Sequence, residues 1–109
     1  MKSARDSYLR RTYGITEAEY NLILKEQHGV CWICGQPPKK RRLHVDHKHV
    51  KRDKKTSAED KRKRCRGLLC WGCNTAIAKF KDNSTHLRKA ADYCDEWPAQ
   101  RVLKKKEDK

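Results

Sequence analysis

Two Cys-x-x-Cys pairs, Cys31/Cys34 and Cys70/Cys73, bracket the run Asp46-His47-Lys48-His49, and Asn74 follows the last cysteine directly. A two-residue spacer lets both sulfurs of a pair reach one ion in a tight turn. Two such pairs complete a tetrahedron at about 2.3 Å and close a structural Zn²⁺ site, leaving no position for a substrate. Asp46, His47, His49 and Asn74 are then oxygen and imidazole groups that the zinc does not need. The Asp46 carboxylate can hold a hard divalent cation such as Mg²⁺ or Mn²⁺, and Asn74 can add a second oxygen ligand. The His47 imidazole can take a proton from water at neutral pH. Phosphodiester hydrolysis needs both functions: a metal to stabilise charge on the phosphate and leaving oxygen, and a base to make hydroxide.

Other groups near this cluster have less defined parts. His49 falls on the same strand face as His47, where it either touches phosphate or metal or is a surface histidine. His44 reads as structural, and His28 and His86 as solvated. Arg66 lies on the next strand, where it can clamp a phosphate. Cys65 fits a knuckle poorly and is expected to pack as a small apolar residue; Cys94 is expected in the core of the last amphipathic helix. Trp32 and Trp71, inside the two cysteine turns, are expected to cover the zinc, with base stacking as the alternative.

The chain has 109 residues and a formal net charge of +14. The excess is concentrated: residues 39–66 hold 14 Lys and Arg against four Asp and Glu, while residues 1–38 are nearly balanced. The basic stretch thus separates the two cysteine pairs and surrounds Asp46 and His47. Such a patch suits a polyanion bound by counterion release, with DNA as the expected partner and Lys61, Arg62, Lys63, Arg64 and Arg66 as contacts. Six cysteines could instead signal a secreted disulfide scaffold, but no apolar run follows Met1-Lys2-Ser3 and no segment is long enough to span a membrane. A reducing, cytoplasmic setting and metal ligation are therefore expected.

These groups need elements to position them. Ser3–Tyr13 reads as a helix capped by Ser3 and ended by Gly14. Thr16-Glu-Ala-Glu19 is a capping box for a second helix, with Tyr20, Ile23 and Leu24 on one face. Arg42–Val50 alternates as a strand, and Cys65–Leu69 can return beside it. Lys51–Lys63 is so highly charged that a mobile loop is expected. Asn74–Lys81 and Thr85–Trp97 read as helices, the latter closed by Pro98. The Lys104–Lys109 tail should fray. So few apolar residues make a small core that needs a staple.

Taken together, Cys31-x-x-Cys34, Leu43-His-Val-Asp-His-Lys-His49 and Arg66-Gly-Leu-Leu-Cys-Trp-Gly-Cys-Asn74 resemble the phage recombination endonuclease VII family, a branch of the HNH or ββα-metal nucleases. Tyr13-Gly-Ile-Thr-x-x-x-Tyr20 adds to the likeness, which spans roughly residues 8–97. The resemblance implies an α+β fold: a small zinc-stabilised ββα-metal (HNH) core with flanking helices. It implies His47 as general base, Asp46 and Asn74 as ligands of the catalytic ion, and His49 as a further active-site histidine. Cys31, Cys34, Cys70 and Cys73 would be the zinc ligands.

The expectation is a metal-dependent DNA endonuclease, nicking or cutting both strands, with branched DNA among its possible substrates. It would be phage-encoded and act inside the host cell. One nuclease domain is expected over 1–98, then a basic tail over 99–109; monomer and homodimer both fit. The rival reading is a non-catalytic zinc-ribbon DNA-binding module. It needs the cysteines and the basic stretch but not Asp46, His47 or Asn74.

Overall fold

The computed structural model describes residues 3–48 and 57–107, with side chains described as far as 103. It divides into two compact units, Met1–Asn74 and Thr75–Lys109. The architecture is α+β, with one two-stranded sheet.

The first unit begins with α1 (Ala4–Tyr13) and α2 (Glu17–Glu26). Ser3 caps α1 by accepting the Asp6 amide, and Gly14 ends it in a left-handed conformation. The Thr16–Glu19 capping box of α2 forms in both directions. Between the helices, the buried Asp6 carboxylate accepts Arg10 Nε at 2.6 Å and the Glu17 amide at 2.8 Å. It therefore fixes the angle at which the chain enters α2. Tyr20 is buried, and its hydroxyl donates to the Leu43 carbonyl at 2.6 Å, so α2 aims the chain into the sheet.

Strand β1 (His44–His47) pairs antiparallel with β2 (Cys65–Leu69). The register runs His44–Leu69, Val45–Leu68, Asp46–Gly67, then His47–Cys65. Arg66 is the residue passed over, so a bulge sits opposite the Asp46–His47 step. The strand is shorter than the alternation over Arg42–Val50 suggests. Alternation does hold for Leu43 and Val45, which are buried with Leu9, Ile15, Tyr20, Cys31, Leu68 and Leu69. Those eight are the buried apolar side chains among the described residues, a core too small to stand without a staple.

Gln27 completes the sheet edge from outside it. Its amide nitrogen donates to the Leu68 and Val30 carbonyls, each at 2.9 Å, and its oxygen accepts the Leu68 amide at 2.8 Å. The side chain thus pairs with β2 as a strand would, and buried backbone groups that need partners get them.

The charged stretch before β2 is not wholly a loop. Ala58–Lys63 forms α3, capped by Ser57, with Glu59 and Asp60 in its first turn and basic residues in its last. Arg62 forks onto both oxygens of Glu19, and Lys61 Nζ donates to the Arg11 carbonyl at 2.7 Å. The Arg62 hydrogen bonds, backed by the Thr16 amide, hold the Glu19 carboxyl down at about 2. Over Ala58–Lys63 the expected mobile loop gives way to a helix because two of its cations find partners 43 and 50 residues away; residues 51–56 of that stretch lie outside the described residues.

Gly14 lets this packing occur. Its φ is +72°, and a Cβ there would lie 2.2 Å from the Ala58 carbonyl oxygen. At Gly29, with φ +77°, a Cβ would meet nothing within 4 Å. Gly29→Ala should cost only the left-handed penalty, about 1 kcal/mol. Gly14→Ala should cost that and the backbone clash, on the order of 3 kcal/mol in total. Paired thermal melts check this, and equal losses would mean that α3 does not press on Gly14.

Helix α4 (Trp71–Lys79) starts three residues earlier than its sequence pattern suggests, so Cys73 and Asn74 lie in its first turns. In the second unit, α5 (Ser84–Glu96) is capped by Asn83 and closed by Trp97, whose φ is +46°. Ala99–Glu107 forms a further helix, α6, where a fraying tail is expected. No residue of α5 is buried, and Cys94 is exposed rather than in a core.

Candidate functional site

The four cysteines meet as their spacing predicts. Their sulfurs all lie within 4.8 Å of one another. Cys34 Sγ and Cys70 Sγ are 3.8 Å apart, matching the edge of about 3.8 Å for a tetrahedron with 2.3 Å metal–sulfur bonds. Each pair is held by its turn. The Gly35 amide donates to the Cys31 carbonyl at 3.0 Å, and the Cys73 amide donates to Cys70 Sγ at 3.4 Å. Cys31 is buried, yet hydrogen bonds from the Cys34, Cys70 and Ile33 backbone outweigh that burial and bring its thiol down to about 6. Burial, and then the three neighbouring sulfurs, push Cys73 up to about 12. One thiolate forms readily and the last resists, which is the demand that a divalent cation meets. The donor set is soft, closed and of the right size for zinc.

The other two cysteines stand apart. Cys65 Sγ donates to the Tyr13 and Lys61 carbonyls at 3.5 and 3.7 Å, and burial raises its pKa. It packs α1 and α3 against the start of β2, in keeping with a non-ligand role.

Asp46 and His47 are consecutive on β1, at the step where the register with β2 shifts. Asp46 is 7% exposed. Its Oδ2 accepts Arg66 Nε at 2.8 Å and its Oδ1 accepts Arg66 Nη2 at 3.1 Å, a bidentate fork. The bulge at Arg66 lets the guanidinium reach across to the carboxylate. Arg66 therefore meets Asp46 first, where sequence reasoning gives it a phosphate.

His47 is half-buried. A cleft of about 180 Å³ is lined by Thr12, Tyr13, His47, Lys61 and Arg64. The Tyr13 ring lies 5.6 Å from the imidazole, centre to centre, at 56°. Tyr13 also meets Tyr8 edge to face at 6.2 Å. Burial, then its contact with Tyr8, pushes the Tyr13 phenol up to about 12, so it is a neutral hydroxyl at physiological pH. Lys61 commits one of its three N–H groups to Arg11 and still lines the cleft. Imidazole, phenol, ammonium and guanidinium around one opening make a site for an anionic group.

The structure brings together the four cysteines, Asp46 with Arg66, and His47 with Lys61 and Arg64. Asn74 lies in α4, its amide on the Cys70 carbonyl at 3.0 Å, and it is not among the residues lining the His47 cleft. Arg62 is committed to Glu19 and serves packing. Lys63 is exposed at the end of α3. His49 lies outside the described residues. Sequence reasoning passes over Tyr13 and Thr12 as cleft residues. Both stand just before Gly14, where α1 must stop, and Tyr13 also opens the Tyr13-Gly-Ile-Thr-x-x-x-Tyr20 run. Trp32 and Trp71, expected to cover the metal, are instead 68% and 63% exposed.

The sequence model of the recombination endonuclease VII family matches residues 6–96. The "Gene 59 protein" of Mycobacterium phage D29 is 40% identical over 94 residues, covering 84% of this chain and 50% of the relative. The "Gene 59 protein" of Mycobacterium phage L5 is 38% identical over 94 residues, covering 84% of this chain and 51% of the relative. The chain spans about half the length of these curated relatives. No solved structure matches it.

Proposed function

The chain belongs to the recombination endonuclease VII family, and on that premise we propose that it is a phage DNA endonuclease of the ββα-metal (HNH) type. The observation that carries this reading is the His47 cleft, where an imidazole shares one opening with Lys61 and Arg64. Those cations suit a phosphate, and the imidazole suits a proton taken from water. Tyr13 braces the ring, so that the base is held before substrate arrives. Two antiparallel strands followed by a helix, with cysteine turns at Cys31–Cys34 and Cys70–Cys73, support the ββα reading.

A divalent ion, Mg²⁺ or Mn²⁺, would rest on Asp46 and Asn74. When bound it supplies positive charge to the scissile phosphate and the leaving oxygen. One carboxylate and one amide oxygen are a sparse donor set, of the kind Mg²⁺ accepts alongside water and phosphate. Arg66 takes one lone pair from each Asp46 oxygen and leaves one on each. It holds the carboxylate in a fixed plane and neutralises it until a cation is near. His49, two residues beyond His47, is the second candidate base. The nuclease domain is proposed to run over 1–98, and the protein to act inside the infected cell; no helix of the described residues is long and apolar enough to cross a membrane.

The Arg66–Asp46 fork also favours a second reading. A carboxylate satisfied by guanidinium suits a zinc-ribbon DNA-binding module that never holds a second metal. Supercoiled plasmid separates the two. The zinc-loaded protein with added Mg²⁺ should give nicked or linear DNA, and omitting Mg²⁺ should stop it. Binding without cleavage in Mg²⁺ and in Mn²⁺ would establish the module instead.

The cations divide by task. Lys63→Gln with Arg64→Gln should weaken binding to any DNA sequence and lower the log–log salt slope by up to about 0.9 for each phosphate no longer neutralised. Arg62→Gln should instead lower the melting temperature, because it strips Glu19 of its partner. A slope unchanged in the Lys63/Arg64 variant would put the phosphate-binding cations elsewhere.

A further inference from the structure

We propose that the face made by the two cysteine turns binds unpaired DNA bases, which stack on Trp32 and Trp71. This rests on the reading of DNA as substrate and names the kind of DNA that the face selects. Each indole directly follows the first cysteine of its turn. Because the four sulfurs lie within 4.8 Å of one another, the two turns carrying the rings converge on one point. The Trp32 amide also donates to the Leu68 carbonyl at 3.3 Å, two residues before Cys70. That bond ties the Trp32 backbone to β2, yet both rings are left in water, and Ile33, next to Trp32, is 54% exposed. A chain with so small a core has reason to bury its tryptophans, and exposed large apolar groups on two converging turns mark an interaction site.

The surroundings identify the occupant. Residues 32–42 are exposed throughout and carry Lys39, Lys40, Arg41 and Arg42 with no acidic residue. Aromatic faces beside a positive track are the apparatus of single-strand binding, since every base has a flat face and every nucleotide a phosphate. Beside Trp32 lies a groove of about 300 Å³ on the outside of the first cysteine turn, lined by Cys31 and Cys34 themselves and by Gln27, His28, Val30, Ile33 and Gly35. Its floor is mainly apolar, as a stacked base requires. Duplex DNA hides base faces against one another and offers only their edges in the grooves. The indoles thus discriminate for single strands, flaps or gaps over continuous duplex.

The test is intrinsic fluorescence of the zinc-loaded full chain, titrated with a short oligothymidylate or with duplex, and with no added divalent ion so that nothing is cut. The oligothymidylate should quench the emission and shield it from acrylamide. Trp32→Ala and Trp71→Ala should each weaken oligothymidylate binding about tenfold, with duplex affinity, zinc content and melting temperature close to the parent's. Trp32→Phe should retain most of the affinity. Equal oligothymidylate affinity in the parent and in the double alanine variant overturns the proposal, as does an equal loss on duplex. If the double variant fails to fold, acrylamide shielding in the parent decides: no shielding by oligothymidylate overturns it. Plasmid cleavage by the parent is scored separately. Stacking without cleavage defeats the nuclease reading alone, and cleavage with indifferent tryptophan variants defeats this one alone.

Discussion

Cys70→Ser should abolish the cooperative melt of this protein and leave an expanded, aggregation-prone chain. A structural zinc contributes on the order of 10 kcal/mol in small domains, comparable to the whole stability of a typical domain. Here the core of the first unit is, among the described residues, eight apolar side chains, one of them Cys31 of the four-cysteine cluster. Cys70 closes β2 and opens α4, so its loss also unties the strand that Gln27 and β1 hold. The parent should carry one zinc per chain and unfold when a strong chelator removes it. Cys65→Ser and Cys94→Ser are the matched controls. Cys65 hydrogen-bonds to carbonyls, a role that serine can fill, and Cys94 is exposed. Both should melt near the parent and keep the metal. A Cys70→Ser chain that melts cooperatively within a few degrees of the parent would show that zinc is not the staple.

What could be read from the sequence follows the range of the forces involved. Ser3, Gly14 and the Thr16–Glu19 box act within four residues of themselves, and each caps its helix as its type dictates. The cysteine pairs act over a distance, but their chemistry allows so few arrangements that spacing alone places them. Long-range polar contacts have no such signature. Nothing near Arg62 announces that Glu19 will hold it, so α3 reads as a loop. Gln27 is an ordinary polar residue until its amide is seen pairing with Leu68. The Asp46–Arg66 fork depends on a one-residue bulge, which the alternation of β2 does not reveal. The exposed indoles differ again: their place inside the cysteine turns suggests a cover for the metal, but adjacency in sequence does not fix where a ring packs, and the structure leaves both exposed.

His47→Ala should leave a folded, zinc-loaded, DNA-binding protein that no longer cuts. A positioned general base contributes roughly 10²–10⁴-fold, and the loss should fall in that range with the Mg²⁺ requirement unchanged. The imidazole is half-buried and tilted against the Tyr13 ring, and Tyr13 keeps its contact with Tyr8 when the imidazole is removed. The melting temperature should therefore move little. Asp46 needs a gentler change. Alanine there would remove both acceptors of the Arg66 fork and mix stability with chemistry. Asp46→Asn keeps the shape and one acceptor oxygen, and removes the charge that would hold the ion. It should raise the Mg²⁺ concentration needed for half-maximal cleavage, as should Asn74→Ala, while His47→Ala should not. That split between rate and metal requirement distinguishes a base from a ligand, which a simple loss of activity does not. A His47→Ala protein that nicks plasmid at the parent's rate in Mg²⁺ would remove His47 from the base role and pass it to His49. A His47→Ala protein whose rate returns to the parent's at high Mg²⁺ would make His47 a ligand, and the cleft it shares with Lys61 and Arg64 would then be the place to look for the metal.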